Sequence, residues 1–412
     1  MWQTIKNYYH LIQAIGANIY YGWPSKKLKV IGVTGTDGKT TTTSLIYHIL
    51  INSGHKASMI TTVYAKVGTQ EFDTGLHTTT PHSFDVQRFL KKSVEAGDEF
   101  FILESTSHAL HQYRIYDVDF EIGLITNITH ESLEYHKTYE NYVKAKLMLL
   151  LMSKKILINK DDGSYKLLSE HLHKAKRHFK TYGLNEKTDY KLEISEKIKQ
   201  KLTEFNRYNY LAAYAVCHEL GIPDEKIFEA MKTFKLPVGR FEVVYDKDFT
   251  IIVDFAHTPN AMYQLLKSVK QLYPSRRVIN MFGSAGFRDV TKRPIMGEAS
   301  GEFADLTIIT EDDPRTEDPM VIAEEIAQGL QKKGFEQVTI ADFGESLKKY
   351  CILTNREKAI KKAISIAKKG DVLVFNGKGH EKSIARGNRE DPWSDQEETI
   401  KVIKELGIKN RA

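Results

Sequence analysis

Cysteine is almost missing from this sequence of 412 residues. Cys217 and Cys351 are the two that it contains, and they show no metal-like spacing. Such a chain has no disulfide framework, and proteins without one are typical of reducing compartments. We therefore expect a cytoplasmic protein.

Long apolar runs and blocks of one charge are missing as well. No apolar run approaches the roughly 20 residues of a transmembrane helix, and the N-terminus lacks the pattern of a signal peptide. The 59 basic and 53 acidic residues leave a formal net charge of +6. This small excess fits an anionic ligand. The sequence has no block of basic residues that would indicate nucleic-acid binding, and nucleic acid is not an expected partner. Internal repeats and low-complexity tracts are not found.

What the sequence does contain is typical of a globular protein with two or three domains. Hydrophobic residues make up 41% and charged residues 27% of a chain too long for one ordinary core. Residues 1–27 are predicted to form an aromatic-rich helix that stops near Gly22 and Pro24. Packing on the next domain is the first interpretation of its apolar side chains. The alternative is a helix that contacts a membrane surface or a partner.

The residues from 28 to 237 alternate between strand and helix patterns. This alternation predicts a mostly parallel sheet with helices on both faces. The charged, irregular segment 160–204 is predicted to form a small antiparallel excursion. Strands are predicted at 28–33, 57–64, 99–104, 122–127 and 155–159, and helices at 44–50, 84–96, 139–151 and 207–220.

The alternating pattern restarts near Leu236 and Pro237. It predicts a second α/β domain over 238–412, with ligand-binding loops at the C-terminal ends of its strands, as in other open sheets. Its strands are predicted at 249–255, 277–282, 306–310 and 371–375, and its helices at 319–332 and 356–367.

Residues 30–42 hold the strongest local signal, a strand that runs through a glycine turn into a helix. Gly35 and Gly38 allow backbone angles that turn N–H groups toward phosphate, and the helix N-terminus adds partial positive charge. Lys39 can reach the terminal phosphates, and the Thr40 hydroxyl can bind Mg²⁺. Val33 stands where the general phosphate loop has its first glycine, so the pattern is the shorter G-x-x-G-K-T. Because a strand precedes this segment and a helix follows it, we interpret it as a nucleotide-binding loop and not as a chance occurrence of G-K-T.

The predicted fold class is α/β, with a P-loop central domain at 28–237 and a Rossmann-like α/β C-terminal domain at 238–412. The central domain has a mostly parallel sheet flanked by helices, and the helix 1–27 precedes it. A P-loop by itself does not separate kinases, motors, switches and ligases.

Further motifs follow the P-loop in one order along residues 28–412. The segment G-T-D-G-K-T-T-T at 35–42 resembles the G-T-N-G-K-T-T-T of the Mur ligases and of their folylpolyglutamate and cyanophycin synthetase relatives. The remaining motifs resemble the MurE-like branch, which adds the third residue to UDP-N-acetylmuramoyl-dipeptide. They are T-T-P at 79–81, L-E-S-T-S-H-A-L at 103–110, T-N through Y-H at 126–136, Y-V-K-A-K at 142–146, F-N-R-Y-N at 205–209, G-R-F-E at 239–242, D-F-A-H-T-P at 254–259, R-D with K-R-P at 288–294, D-D-P-R at 312–315 and G-K-G-H-E at 377–381.

The resemblance implies an ATP-dependent ligase that joins an amino acid to a carboxylate. A free carboxylate is a poor electrophile, so ATP first phosphorylates it and the amino group then attacks the acyl-phosphate. The implied cofactors are ATP and two Mg²⁺ ions, one held by Thr40 and Glu104 and one by a carbamate on Lys146. The implied catalytic residues are Lys39, Glu104, Lys146, Arg240 and His257. The implied ATP-binding residues are Gly35, Thr36, Asp37, Gly38, Lys39, Thr40, Thr41, Asn209, Arg240, Asp254 and His257.

Two further groups of residues match substrate positions of the family. In the family's D-N-P-R, the arginine goes with meso-diaminopimelate. Asp313 replaces that asparagine here, and a carboxylate only accepts hydrogen bonds, which favours an ammonium group. A diamino acid is therefore expected, with lysine as a candidate beside diaminopimelate. The acceptor would contact Thr79, Thr80, Thr106, Gln112 and Arg114, and the amino acid would contact Arg288, Asp312, Asp313, Arg315, Gly377 and Glu381.

Two departures from the family pattern affect these expectations. Family members usually carry a domain of roughly a hundred residues before the P-loop strand for the uridine nucleotide, and 27 residues are too few for such a domain. We therefore expect a UDP-linked acceptor to lack its usual binding domain for the uridine nucleotide. The acceptor would then bind elsewhere or through a partner, or it would be a different peptide. Ser132 stands where the family has a histidine near the metal, which leaves the second metal to Lys146, Glu104 and water.

Two other functions remain open at this point. One is a polyglutamate-type or cyanophycin-type ligase with an acceptor that lacks UDP, which the short N-terminal segment favours. The other is a non-catalytic ATP-binding partner protein. Retention of Lys39, Glu104, Lys146 and Arg315 favours an enzyme, which is expected to act as a monomer on small substrates.

Overall fold

The computed structural model describes residues 2–73, 79–129, 131–185, 187–191 and 202–408. The chain divides into two compact units, Met1–Lys235 and Leu236–Ala412. Each unit is an α/β structure built on its own sheet.

The first unit contains, among its described residues, a sheet of eight strands in the order β4-β3-β2-β5-β1-β6-β7-β8. Parallel pairing joins the neighbours among β2, β5, β1, β6, β7 and β8, and β3 and β4 add an antiparallel edge. The strands are β1 Lys29–Thr34, β2 Ala57–Ile60, β3 Ala65–Val67, β4 Gln70–Phe72, β5 Phe100–Glu104, β6 Phe120–Ile125, β7 Ser153–Asn159 and β8 Lys180–Tyr182.

The helices of the first unit cover both faces of this sheet. Ile31 and Val33 of β1 pack with α2 and α8 on one face, whereas Val30 packs with α3 and α6 on the other. A central parallel strand is buried on both faces, which explains its continuous apolar sequence. The helices are α1 Trp2–Tyr21, α2 Lys39–Asn52, α3 Ser83–Glu95, α4 Ser107–His111, α5 Leu133–His136, α6 Tyr139–Met152, α7 Tyr165–Lys174, α8 Glu204–Glu219 and α9 Asp224–Thr233, with a short 3-10 turn at Pro24–Lys27.

The predicted antiparallel excursion at 160–204 is wrong where the structure describes it. α7 forms there because Leu168 and Leu172, one helical turn apart, are buried on the same face. β8 then pairs in parallel with β7, and the Tyr182 hydroxyl donates a hydrogen bond to the Ile125 carbonyl at 2.8 Å. Residues 186 and 192–201 of that segment lie outside the described residues.

The strand predicted at 57–64 is shorter than expected. β2 ends at Ile60, and a turn follows in which the Thr61 backbone N–H donates to the Tyr64 carbonyl at 3.0 Å. This turn brings Thr62 to the carboxyl end of the sheet, where the candidate active site lies.

The second unit contains a sheet of seven strands, within the described residues, in the order β13-β14-β12-β11-β15-β10-β9. All neighbours pair in parallel except the antiparallel edge strand β9. The strands are β9 Glu242–Asp246, β10 Thr250–Asp254, β11 Val278–Phe282, β12 Leu306–Ile309, β13 Glu336–Gln337, β14 Lys349–Ile352 and β15 Val372–Asn376, and a separate hairpin is formed by β16 Ser383–Arg386 and β17 Arg389–Pro392.

Two hydrophobic cores lie on opposite faces of this second sheet. Ile252 of β10 packs with α10, α11 and α12, and its neighbour Ile251 packs with α13 and α14. The predicted fold class, two α/β units with mostly parallel sheets flanked by helices, is confirmed. The helices are α10 Pro259–Leu272, α11 Lys292–Phe303, α12 Pro319–Lys332, α13 Arg356–Ser365 and α14 Asp395–Glu405.

Candidate active site

The phosphate loop lies between β1 and α2. Gly38 precedes the helix with a φ of 80°, a left-handed conformation that favours glycine. A Cβ atom on Gly35 would lie 1.8 Å from Thr126 Oγ1, and one on Gly38 would lie 2.2 Å from Asn209 Oδ1. Both glycines are therefore required by space as well as by conformation. Thr40 and Thr41, in the first turn of α2, are buried beneath the loop.

Two side chains directly after the neighbouring strand β6 hold this loop in its conformation. The Asn127 amide accepts a hydrogen bond from the Asp37 backbone N–H at 2.9 Å and donates one to the Asp37 carbonyl at 3.0 Å. The Thr126 hydroxyl donates to the same carbonyl at 2.7 Å. The Lys39 ammonium donates to the Thr36 carbonyl at 2.7 Å, so it lies over the loop. The sequence analysis assigned no role to Thr126 and Asn127, although their place directly after a strand could have indicated one.

Glu104 lies at the centre of the polar groups beside the loop. β5 pairs with β1, so that Glu104 stands level with Val33, and its side chain is buried. Each carboxylate oxygen lies 3.0 Å from Thr40 Oγ1. The Thr62 backbone N–H and hydroxyl both donate to this carboxylate at 2.9 Å, a partner that the sequence did not predict. A hydroxyl and a carboxylate are hard oxygen ligands, so Thr40 and Glu104 fit Mg²⁺.

Lys146 on α6 contacts the same loop. Its side chain is 1% exposed, its ammonium donates to the Gly35 carbonyl at 2.6 Å, and its Nζ lies 4.5 Å from the centre of the Tyr142 ring. Burial lowers the pKa of Lys146 well below its usual value, and nearby Lys39 lowers it further. The direction of this shift favours the neutral form of the amine.

Tyr142 links Lys146 to the loop and to an acidic residue that the sequence did not assign. The Tyr142 hydroxyl lies 3.1 Å from Thr36 Oγ1 and donates to Glu131 at 3.3 Å. The negative charge of Glu131 raises the Lys146 pKa and so offsets part of the effect of burial. Ser132, which replaces the family's histidine, is half-buried and starts α5 with a φ of 57°.

The five predicted acceptor residues lie together around Glu104. The Thr80 hydroxyl donates to the Glu104 carbonyl at 3.1 Å and accepts from the Thr106 backbone N–H at 3.0 Å. Arg114 donates to Gln112 Oε1 at 3.0 Å and to the Thr80 carbonyl at 3.1 Å. Burial lowers the pKa of Arg114 from its usual value. The fifth residue, Thr79, has its hydroxyl 3.0 Å from that of Thr62.

Asn209, the remaining nucleotide candidate of the first unit, is buried on α8. Its Oδ1 atom accepts a hydrogen bond from Thr42 at 3.4 Å, and its amide nitrogen donates to Asn206 at 3.1 Å. It thereby contacts the first turn of α2, and its Oδ1 atom lies next to Gly38 of the loop.

The nucleotide candidates of the second unit meet at the carboxyl end of β10. The Asp254 carboxylate accepts from the backbone N–H groups of Phe241 and Ala256 at 2.6 and 2.7 Å, and burial raises its pKa. The Arg240 guanidinium lies 4.6 Å from the centre of the Phe255 ring. His257 Nδ1 donates to the Phe255 carbonyl at 2.8 Å. These contacts fix the loop, and the ATP-binding role of Arg240, Asp254 and His257 stays a prediction.

An acidic pocket lies at the ends of β12 and β15 in the second unit. The Lys378 ammonium lies 2.7 Å from Asp313, 2.6 Å from Glu381 and 3.7 Å from Asp312. Lys378 is fully buried; burial lowers its pKa, but these three carboxylates outweigh that effect and hold it above the usual value. The pocket therefore accepts an ammonium group from this chain itself. The sequence analysis assigned no role to Lys378, although it lies inside the G-K-G-H-E motif.

Three further amino-acid candidates lie beside or near this pocket. Gly377 has a φ of 105°, and a Cβ atom there would lie 3.0 Å from Asp312 Oδ2. Arg315 has a φ of 53°, and its side chain donates to the Gly286 carbonyl at 2.5 Å. Its backbone N–H bonds to Ala385 of the hairpin at 2.9 Å. Arg288 is exposed on the loop between β11 and α11.

Together these features define the class of the protein as an α/β P-loop protein, with a carboxylate beside the phosphate loop that fits Mg²⁺. Two family models match the chain: the Mur ligase middle domain at residues 33–217 and the Mur ligase, glutamate ligase domain at residues 239–379. The chain belongs to the Mur ligase family, whose members are ATP-dependent ligases. The resemblance stated from the motifs is thereby confirmed.

Individual relatives agree with this assignment. UDP-N-acetylmuramoyl-L-alanyl-D-glutamate–2,6-diaminopimelate ligase of Aquifex aeolicus is 40% identical over 95% of this chain and 80% of its own length. Ligase 1 of the same name from Clostridium acetobutylicum is 37% identical over 95% of this chain and 81% of its own. A solved structure of such a ligase matches with a TM-score of 0.59 at 28% identity, covering 92% of this chain and 79% of that one.

Folylpolyglutamate synthases share the fold. The bifunctional folylpolyglutamate synthase/dihydrofolate synthase from Yersinia pestis matches with a TM-score of 0.67 and covers 96% of this chain and 93% of that one. The identity is 18%, so this likeness concerns the fold alone. A helix that could span a bilayer is absent from the part of the chain that the structure describes.

Proposed function

We propose that this protein joins a diamino acid to a free carboxylate of a peptidoglycan precursor of the UDP-N-acetylmuramoyl-L-alanyl-D-glutamate type, at the expense of ATP. One observation carries the proposal. The five acceptor candidates, Thr62 and the proposed Mg²⁺ ligands Thr40 and Glu104 form one hydrogen-bonded network directly beside the phosphate loop. An acceptor carboxylate held by this network would lie near the terminal phosphate of ATP. Two curated relatives named for this reaction support the choice of acceptor.

The proposed reaction has two steps. An acceptor carboxylate oxygen attacks the γ-phosphorus of ATP, and the bond to ADP breaks to give an acyl-phosphate. The uncharged amino group then attacks the acyl carbon, and the resulting tetrahedral intermediate expels phosphate with the bonding electrons of its C–O bond and releases a proton. Lys39 and the N-terminus of α2 would stabilise the negative charge on the phosphate oxygens. Thr40 and Glu104 would hold Mg²⁺, which would neutralise negative charge on the phosphates of ATP.

We also propose that CO₂ carbamylates Lys146. Its burial and low pKa support this reaction, because the amine must be neutral to attack CO₂. The carbamate would supply an anionic oxygen pair that would hold a second Mg²⁺. Two Mg²⁺ ions and ATP then complete the proposed cofactors. ATP as a substrate and two buried free cysteines support a cytoplasmic location.

The acidic pocket supports a diamino acid as the second substrate. Asp312, Asp313 and Glu381 already hold the Lys378 ammonium in a buried site, so they are suited to a second ammonium group at their rim. Arg315 could pair with a distal carboxylate, as diaminopimelate carries, whereas Asp313 would repel one. The names of the relatives favour diaminopimelate, and Asp313 favours lysine.

Phosphate release tests the proposed function. ATP is incubated with UDP-N-acetylmuramoyl-L-alanyl-D-glutamate and, in turn, diaminopimelate, lysine, ornithine, glutamate or alanine. We expect release that requires both the acceptor and one diamino acid. Release with glutamate on an acceptor that lacks UDP would contradict the proposal and favour a polyglutamate-type ligase.

Asp313→Asn tests the role assigned to the acidic pocket. Replacing a carboxylate by an amide removes one negative charge that would face the distal carboxylate of diaminopimelate. We expect the ratio of kcat/KM for diaminopimelate to that for lysine to rise by about tenfold or more, since opposed like charges cost several kcal/mol. Asp318→Asn is the control, because Asp318 lies on the same stretch of chain but caps α12. An unchanged ratio in Asp313→Asn would show that Asp313 does not select the amino acid.

A further inference from the structure

The first helix, α1, is apolar on two opposite sides. Ala14 and Ala17 are buried on one side, where the helix packs against α3. Tyr8, Ile12 and Ile19 recur at helical spacing on the other side, and their side chains are 63%, 69% and 61% exposed. A helix with apolar residues all round is normally buried, so this second side indicates an additional contact.

The exposed side of α1 continues onto neighbouring aromatic residues. Tyr20 is 75% exposed, and its ring centre lies 6.4 Å from that of Phe84, which is itself exposed on α3. The Tyr116 carbonyl accepts a hydrogen bond from the buried Asn18 amide at 3.0 Å, and the Tyr116 ring is exposed beside the helix. We call this surface the α1 face; it consists of Tyr8, Tyr9, Ile12, Ile15, Ile19, Tyr20, Phe84 and Tyr116.

Lysine predominates among the charged residues around the α1 face, where Asp85 and Asp117 directly follow Phe84 and Tyr116. Residues 1–36 contain no aspartate or glutamate, and Lys6, Lys26, Lys27 and Lys29 are all exposed. Tyrosine rings at both ends of an isoleucine centre, flanked by lysines, match the composition of helices that lie in a membrane interface. Each lysine near an anionic surface adds roughly one further kcal/mol of attraction in such helices.

We propose that the α1 face docks the protein on an anionic lipid surface. The isoleucine side chains would enter the boundary between headgroups and acyl chains, the tyrosine rings would lie at headgroup level, and the lysines would meet lipid phosphates. The charge complementarity favours a lipid surface over a protein partner, because the core of a protein interface needs no excess of one sign. This proposal does not depend on the ligase reaction.

Flotation of the full chain with lipid vesicles tests the docking. We expect binding to vesicles of phosphatidylcholine with phosphatidylglycerol, weak binding to phosphatidylcholine alone, and release by salt because salt screens exposed charges. The triple variant Ile12→Ser, Ile15→Ser and Ile19→Ser should bind at least about tenfold more weakly, since three apolar side chains no longer enter the lipid.

A second triple variant controls for apolar content. Ile295, Ile340 and Ile400 are similarly exposed in the second unit, and their replacement by serine should leave binding unchanged. Phosphate release without vesicles checks that both variants are folded and active. Absence of binding to anionic vesicles, or equal binding by the α1 variant, would overturn the proposal. So would a dimer of the full chain, seen by sedimentation, that binds no vesicles and that the α1 variant dissociates.

Discussion

Lys146→Ala is expected to lower kcat for ligation by about 10²–10³-fold, the loss typical of one removed group that stabilises charge in a transition state. ATP binding should survive, because the Lys146 amine donates to the Gly35 carbonyl and so does not take up the loop N–H groups that would meet phosphate. The measurements are phosphate release with both substrates and binding of a non-hydrolysable ATP analogue. If the carbamate supplies the missing anion, short carboxylic acids such as acetate should restore part of the activity.

Lys144→Ala is the matched control for this experiment. Lys144 lies on the same helix, is half exposed, and pairs with Glu140 at 2.8 Å, away from the phosphate loop. Its replacement should leave kcat within about twofold, because an exposed ion pair contributes little. Full activity in Lys146→Ala would contradict the carbamate. Loss of activity without rescue by acids would leave Lys146 as an amine that only supports the loop.

Glu104→Gln is expected to have the second large effect. The amide keeps an oxygen that can accept hydrogen bonds from Thr40 and Thr62, so the fold should be retained, but the charge that attracts Mg²⁺ is lost. We expect kcat/KM for ATP to fall by about 10²-fold. The Mg²⁺ concentration required for half activity should rise at the same time, and titration of activity with Mg²⁺ measures it.

Glu99→Gln controls for the loss of a carboxylate near the same strand. Glu99 directly precedes β5, is exposed, and pairs with His55 at 3.1 Å. Its replacement should not alter the Mg²⁺ requirement. An unchanged Mg²⁺ titration in Glu104→Gln would remove Glu104 from the metal site and leave it as a structural acceptor for Thr40 and Thr62.

The phosphate loop could be predicted from the sequence because its determinants are local. A β-branched strand, two glycines with a defined spacing and a following helix are all contained in residues 30–42. The position of Glu104 could also be predicted, because the carboxyl ends of neighbouring parallel strands meet at one edge of a sheet.

The partners that complete the site depend on tertiary structure and were missed. Thr62 reaches Glu104 only because β2 ends early in a turn closed by Thr61 and Tyr64. Lys378 was passed over because the sequence does not show that three carboxylates from two loops surround it.

The error at residues 160–204 has a related cause. α7 has a helical period, but the helix spans ten residues and gives this period only two buried members, Leu168 and Leu172. The parallel strand β8 has three residues, too few for an alternation to be recognised. Its pairing is determined by contacts with β7, which are not encoded in its own sequence.

The central claim, amide formation through an acyl-phosphate, is tested most directly by following oxygen. The acceptor is prepared with ¹⁸O in its reactive carboxylate and incubated with ATP, the diamino acid and the protein. Because a carboxylate oxygen forms the bond to the γ-phosphorus and leaves with it, we predict one ¹⁸O atom in each released phosphate, detected by mass spectrometry. Phosphate without ¹⁸O, formed while the amide product accumulates, would contradict the account.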